Sequence, residues 1–265
     1  MMVMMVTIQD VMEQIEKGIR LDSSTVDGLK YGNKEDQVKG IVVSFMASLD
    51  VIRKAVDLNA NLLITHEGLF YQHHSNHLLE KNMSLIEQKK AIIEETNLAI
   101  YRNHDAIHRS DPDGITQGLI ESLDWQQYVY ENAPSHSIVH IPHKTPVQIA
   151  SYLKEKLGIE NIRFLGNPYI RCEKIAVLVG YRGHGVNTIP LLDKVDLVIY
   201  GEGPEWETPE FVWDAIQQGA SKGLIQLGHA ESEDPGMKRL ANQLQHTFPD
   251  VPVTFIPTAS RFNVI

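Results

Sequence analysis

Cysteine is almost missing from this 265-residue chain: Cys172 is the only one. An internal disulfide is therefore excluded, as is a zinc module built on several thiolates, and a reducing compartment, the cytoplasm, is expected. Long apolar runs are missing as well. The one at the start, Met1 to Val6, is six residues long without a basic flank, too short for a signal peptide or a membrane span, and reads as an edge segment of the fold. Basic residues are outnumbered, 24 Lys and Arg against 34 Asp and Glu, for a net charge of −10. Nucleic-acid binders concentrate Lys and Arg, so a phosphate backbone is not the expected partner. There is no Gly-x-Ser-x-Gly elbow, which leaves serine hydrolase chemistry without support. Low-complexity tracts, tandem repeats and a Gly/Ser-rich linker are also lacking.

What is present is a core-forming composition, 43% hydrophobic, in which short β-branched runs alternate with amphipathic stretches. That alternation predicts an α/β fold. Strands are expected at Gly40 to Ser44, Asn61 to Thr65, Leu98 to Arg102, Ser137 to Ile141, Ile175 to Val179, Leu197 to Tyr200, Leu224 to Leu227 and Val253 to Ile256. Helix starts are marked by Thr7, by Ser84 with Glu87 as a capping box, and by Thr145 followed by Pro146, with Gly158 closing the last of these. The aperiodic stretch from Glu131 to His143, with Pro134 and Pro142, is the expected seam between lobes.

Twelve histidines stand out, six of them between His66 and His108. In open α/β sheets, ligands bind beyond the carboxyl ends of strands, and four expected strands run into polar residues there: His66-Glu67-Gly68, Asn103-His104-Asp105 with His108, Gly201-Glu202, and Gly228-His229. His229 and Glu233, four apart at a helix start, share one face. A helix start whose Glu231, Glu233 and Asp234 complement the dipole accounts for the same pattern. Likewise His66 fits a satisfied buried histidine, Glu67 a solvated loop acid and Asp105 an Asx-turn. His73, His74 and His77 read as mostly solvent-facing. Convergence of the strand ends favours ligands, and imidazoles mixed with carboxylates suit Zn, Mn or Fe rather than calcium. With His66, Glu67, Asp105, His229 and Glu233 as donors, and His104 beside them, two divalent ions about 3.5 to 4 Å apart are expected, bridged by one carboxylate. Gly180-Tyr181-Arg182-Gly183-His184-Gly185 matches neither the dinucleotide fingerprint nor P-loop spacing and reads as a flexible turn.

These residues carry a family resemblance. Ile64-Thr65-His66-Glu67, Asp105 after a strand, Asp196 to Glu202, and Gly228-His229-Ala230-Glu231-Ser232-Glu233 resemble, in order and along nearly the whole chain, the Nif-three-like dinuclear-metal proteins of the GTP cyclohydrolase I type 2 kind. The resemblance implies that His66, Asp105, His229 and Glu233 are ligands, with Glu67 where a second histidine usually stands. Glu67 would make the site more anionic, favouring Mn or Fe over Zn; Tyr101 stands where a histidine often precedes the ligand Asp, and His104 would compensate. It also implies two similar α/β lobes with mixed sheets flanked by helices, a metal cleft between them, and a homohexamer. The lobes would be about residues 1–130 plus the C-terminal segment, and about 131–225.

The function expected from this set is a metal-dependent hydrolase acting on a nucleotide or small phosphorylated compound, GTP in the cyclohydrolase case. A divalent ion lowers the pKa of bound water to near 7, and Glu202, Glu231 or Glu233 would move protons. The rival is a non-catalytic metal-binding or regulatory scaffold; an open coordination position distinguishes the two.

Overall fold

The computed structural model describes residues 5–74, 83–258 and 261–262; the first four residues of the apolar start and His77 lie outside them. The chain divides into two compact units, Met1–Ser110 with Met237–Ala259 and Asp111–Gly236 with Ser260–Ile265. Each is α/β with a mixed sheet, as the sequence led one to expect. The boundaries fall at Ser110 and Gly236, and the stretch expected as a seam is instead a hairpin within the second unit.

In the first unit the strands are β1 (Gly28–Tyr31), β2 (Ile41–Ser44), β3 (Leu62–Thr65), β4 (Ala99–Arg102) and β11 (Val253–Phe255). Their order in the sheet is β1-β4-β3-β2-β11; all neighbours are parallel except the edge strand β1, antiparallel to β4. Every residue of β2, β3 and β4 is buried, which is why these strands read as unbroken apolar runs: a parallel sheet covered on both faces has no solvent side to alternate with. Helices α1 (Ile8–Glu16), α2 (Leu49–Asp57), α3 (Ser84–Thr96) and the single turn α4 (Asp105–His108) complete this unit. Thr7 caps α1 in a box with Asp10. Ser84 is not a cap: it lies inside α3, whose N-cap is Met83 with no side-chain bond.

In the second unit β5 (Val129–Ala133), β6 (His136–Lys144), β7 (Arg163–Gly166), β8 (Cys172–Val177), β9 (Leu197–Tyr200) and β10 (Gly223–Gln226) are arranged β5-β6-β8-β9-β10-β7. β8, β9 and β10 are mutually parallel and the outer pairs antiparallel. The helices are α5 (Gly114–Ser122), α6 (Pro146–Leu157), α7 (Gly185–Leu192) and α8 (Thr208–Gln217). Thr145 and Gln148 form the capping box of α6, and Gly158 closes it in the left-handed region. A long helix, α9 (His229–Thr247), begins in this unit and continues into the sequence of the first. Near its start Gly236 packs so closely on α5 that a Cβ on Gly118 would strike the Gly236 backbone and a Cβ on Gly236 would strike Ile115. Cys172 is buried at the start of β8. Among the described residues no helix is long and apolar enough to cross a membrane.

Candidate metal centre

The parallel order of β3 and β4 puts their carboxyl ends side by side, and each continues into ligand-type residues. After β3, the backbone N–H groups of His66 and Glu67 both donate to the Phe45 carbonyl, at 3.0 and 2.9 Å, and the chain then turns tightly at Gly68, where a Cβ would strike the Gln72 carbonyl. After β4, Asp27 organises the chain: its carboxylate accepts the N–H groups of His104, Asp105 and Ala106 at 2.7, 2.8 and 2.7 Å. Those are the unsatisfied donors at the start of a helix, and a carboxylate there also complements the dipole.

Three imidazoles meet at these strand ends. His66 and His104 stack with ring centres 4.5 Å apart, and His108 lies edge-on to both at 4.9 Å. Ligand-capable nitrogens of all three lie within 4.8 Å of one another. His66 is fully buried; its Nδ1 donates to the Asn103 carbonyl at 3.1 Å. The Nδ1 of His104 is held by Asp105 Oδ1 at 2.9 Å. In both rings the bonded Nδ1–H fixes the tautomer and makes Nε2 the lone-pair atom, the arrangement that presents an imidazole to a metal. Burial, then the neighbouring His66 and His108, hold the His104 pKa well below the ordinary range, so it is neutral and able to ligate. A second group, Glu67, His73 and His104, also has ligand atoms within 4.8 Å.

Asp105 is placed differently from what its sequence position led one to expect. Its Oδ1 holds His104, and its Oδ2 accepts from Thr25 Oγ1 at 2.8 Å and the Val26 N–H at 3.3 Å. Burial raises the Asp105 pKa, but these bonds outweigh it and keep the carboxyl below its ordinary value. It orients His104, and the side chain brought to His66 and His104 is that of His108. His73, read as solvent-facing, is half-exposed yet edge-on to His104 with centres 4.6 Å apart.

In the second unit, parallel β8, β9 and β10 bring Gly180, Glu202 and His229 to the same sheet end, linked by bonds from Glu202 N–H to the Gly180 carbonyl (2.8 Å) and from Gly228 N–H to the Gly201 carbonyl (2.9 Å). His229 sits between two carboxylates. Its Nδ1 lies 2.9 Å from Glu202 Oε1 and its Nε2 3.3 Å from Glu233 Oε2. With Nδ1 donating to Glu202, Nε2 and the buried carboxylate of Glu233 present lone pairs to each other, a contact that a proton or a cation relieves. The His229 bond lowers the Glu202 pKa, keeping it ionised. Gly180, at φ 57°, is obligatory here: a Cβ would run into Glu233 Oε1 and crowd His229 Nε2. The Glu231 carboxylate packs over Gly228. The glycine-rich loop is not a loose turn. Arg182 donates to Asp113 Oδ2 at 2.7 Å, Thr208 Oγ1 to the Gly183 carbonyl at 2.8 Å, and the Gly185 N–H to Glu207 Oε2 at 2.7 Å.

Both clusters fit a divalent ion by their donor chemistry: imidazoles whose Nδ1 is held by an oxygen in His66, His104 and His229, with carboxylates beside them. Sequence reasoning missed Asp27, Thr25 and Arg102, which touch the first cluster through contacts spanning 29 to 80 residues; no local spacing signals such partners. His108, which the sequence groups with His104 and Asp105 without making it a ligand, closes the single helical turn that Asp105 opens.

Two α/β units, each gathering histidine and carboxylate side chains past the ends of parallel strands, define the class of protein. The chain belongs to the Duf34/NIF3 (NGG1p interacting factor 3) family, whose model matches residues 4–261. It is 24% identical over 239 residues, 86% of each chain, to a Clostridium perfringens protein named GTP cyclohydrolase 1 type 2 homolog. In fold it is similar to a Staphylococcus aureus hypothetical protein, with a TM-score of 0.77 and 17% identity over 98% of this chain and 99% of that one. It is also similar to a Bacillus cereus protein related to NIF3, with a TM-score of 0.76, 13% identity and the same coverage.

Proposed function

We propose that this chain is a cytoplasmic metal-dependent hydrolase holding two divalent ions, with His66, Glu67, His104 and His108 as donors in the first unit and His229 and Glu233 in the second. The observation that carries the reading is the anchoring of Nδ1 in His66, His104 and His229 by an oxygen partner, which turns each Nε2 into a ligand atom. Bound divalent ions would polarise a carbonyl or phosphoryl oxygen and activate water. Asp105 and Asp27 hold His104 in place; Glu202 orients His229 and, with its side chain 42% exposed, is placed to exchange protons at the site's edge. The substrate class is a nucleotide or small phosphorylated compound, a reading supported by the name GTP cyclohydrolase 1 type 2 homolog carried by the relatives. A homohexamer is part of the proposal and is checked by mass measurement.

Elemental analysis of the protein purified without added metal is the test. About two transition-metal equivalents per chain are expected, falling by about one in His66→Ala, and loaded protein should hydrolyse a nucleotide in a screen that includes GTP. No metal, even after incubation with Zn, Mn and Fe, overturns the reading.

A further inference from the structure

The loop that follows β8 carries an aromatic side chain outside the metal donors. Gly180 to Gly185 closes on Glu202 from both sides: the Glu202 N–H donates to the Gly180 carbonyl at 2.8 Å, and the Glu202 carbonyl accepts the Gly183 N–H at 3.0 Å. The two residues at the tip go different ways. Arg182 is tied to Asp113, and its own carbonyl accepts Asn187 Nδ2 at 3.3 Å. Tyr181 stays 50% exposed, its ring edge-on to His184 with centres 4.6 Å apart. Room for movement is small, because a Cβ on Gly183 would strike the Glu202 carbonyl and one on Gly203 would strike Gly183. The result is a large exposed ring on a braced turn.

Its place and its surroundings narrow what such a ring is for. Tyr181 follows Gly180, where a Cβ would meet Glu233 Oε1 and His229 Nε2, so the ring hangs from the backbone at the border of the second cluster. Carboxylates flank it. Glu202, inside the turn, is bonded to His229, and Glu207 accepts the Gly185 N–H at 2.7 Å and lies 3.4 Å from His184 Nδ1. The nearest guanidinium, that of Arg182, is engaged by Asp113. An anion is repelled on this side, whereas a flat ring bearing N–H donors meets a π face beneath it and carboxylate acceptors at its edge. A side chain already fixed in place also loses little conformational freedom on stacking.

We infer that Tyr181 is the stacking shelf for the base of a nucleotide beside the second unit's cluster, with Glu202 and Glu207 as the carboxylates that favour an amino-bearing purine. The inference rests on the substrate class given above and names the part of that substrate which this unit reads. Tyr181 is a binding and specificity residue; it transfers no proton. Removing an aromatic ring that stacks on a base weakens binding by about five- to a hundredfold.

The test is equilibrium binding of GTP and of inorganic tripolyphosphate to the full chain by calorimetry, with metal content and assembly mass measured on the same samples. Tyr181→Ala is expected to weaken GTP binding by about tenfold or more and to leave tripolyphosphate binding unchanged. Tyr181→Trp keeps a stacking face and should bind GTP as tightly as the wild type or more so. An unchanged GTP affinity in Tyr181→Ala, or an equal loss for both probes, overturns the shelf, as does a wild type that binds no GTP. A changed assembly mass in Tyr181→Ala also overturns it, marking the ring as a contact between copies of the chain. The metal reading fails separately. Metal-free protein that binds GTP and loses it in Tyr181→Ala keeps the shelf and refutes the ions; metal-loaded protein that binds no GTP does the reverse.

Discussion

The two units place ligand-type side chains at the same structural address, the carboxyl ends of adjacent parallel strands, and hold them there by different means. In the first unit, imidazoles predominate and are fixed by a web of hydrogen bonds from distant segments: Asp27 on the 104–106 backbone, Thr25 and Val26 on Asp105, the Asn103 carbonyl on His66. In the second, a single histidine lies between two carboxylates, and close backbone packing around glycine makes the room. Strand order thus supplies only the address. The donor character, and the tolerance of each cluster to substitution, comes from what packs behind it.

Breaking that contrast should be most visible at Gly180. Gly180→Ala combines a left-handed backbone with a collision against buried Glu233, so a loss of roughly 3 kcal/mol is expected in urea unfolding, together with metal loss from the second cluster while Co(II) bound at the first keeps its absorption spectrum. Retention of wild-type stability would show that the backbone is not held where it lies.

A somewhat smaller effect is expected beneath the loop that follows β3. Lys89 is buried, its Nζ donates to the Leu69 carbonyl at 2.6 Å, and burial lowers its pKa from 10.5 to about 8. Between these two values the unfolded chain carries the proton and the folded chain does not, so stability rises as pH increases from 8 to 10.5 and is lost as pH falls back through 8. Relative to Lys89→Met, the wild type should gain about 2 kcal/mol across that window. Parallel curves would remove Lys89 from the account.

The mildest of the three is Asp27→Asn, which weakens the carboxylate cap over residues 104–106. About 1 kcal/mol of stability should be lost, with a weakened Co(II) affinity at the first cluster and none at the second. An equal loss at both clusters would erase the distinction drawn between them.

The strands legible in the sequence are mostly the buried ones, with the partly buried edge strand β11 marked by its own Val253 to Ile256 run. β2, β3, β4 and β9 lie within a residue of where their apolar runs put them. The three that escaped notice, β1, β5 and β7, are all edge strands, with sequences GLKY, VYENA and RFLG and burial that is partial along most of their length. An edge strand pairs along one side only, and these three are also partly exposed, so they need no apolar run to mark them. Helix caps followed the same logic: Thr7 and Thr145 form local bonds that sequence spacing reveals, whereas Ser84 had the right spacing and lies one residue too far in.

By itself, then, the sequence determined the α/β class, the buried strands, and the strand-end positions of His66, Glu67, His104, Glu202, His229 and Glu233, because each depends on periodicity or on residues next to one another. Tertiary structure decided that His108 joins His66 and His104 while Asp105 stands behind them, that Arg102 pairs with Glu67, and that Gly180 clears space for Glu233. Arg102 and Glu67 lie 35 residues apart, and His108 is farther than that from His66, as Gly180 is from Glu233, so no local pattern encodes these contacts: they exist only once the parallel strands have been laid side by side, whereas the pairings of His104 with Asp105 and His108 are local.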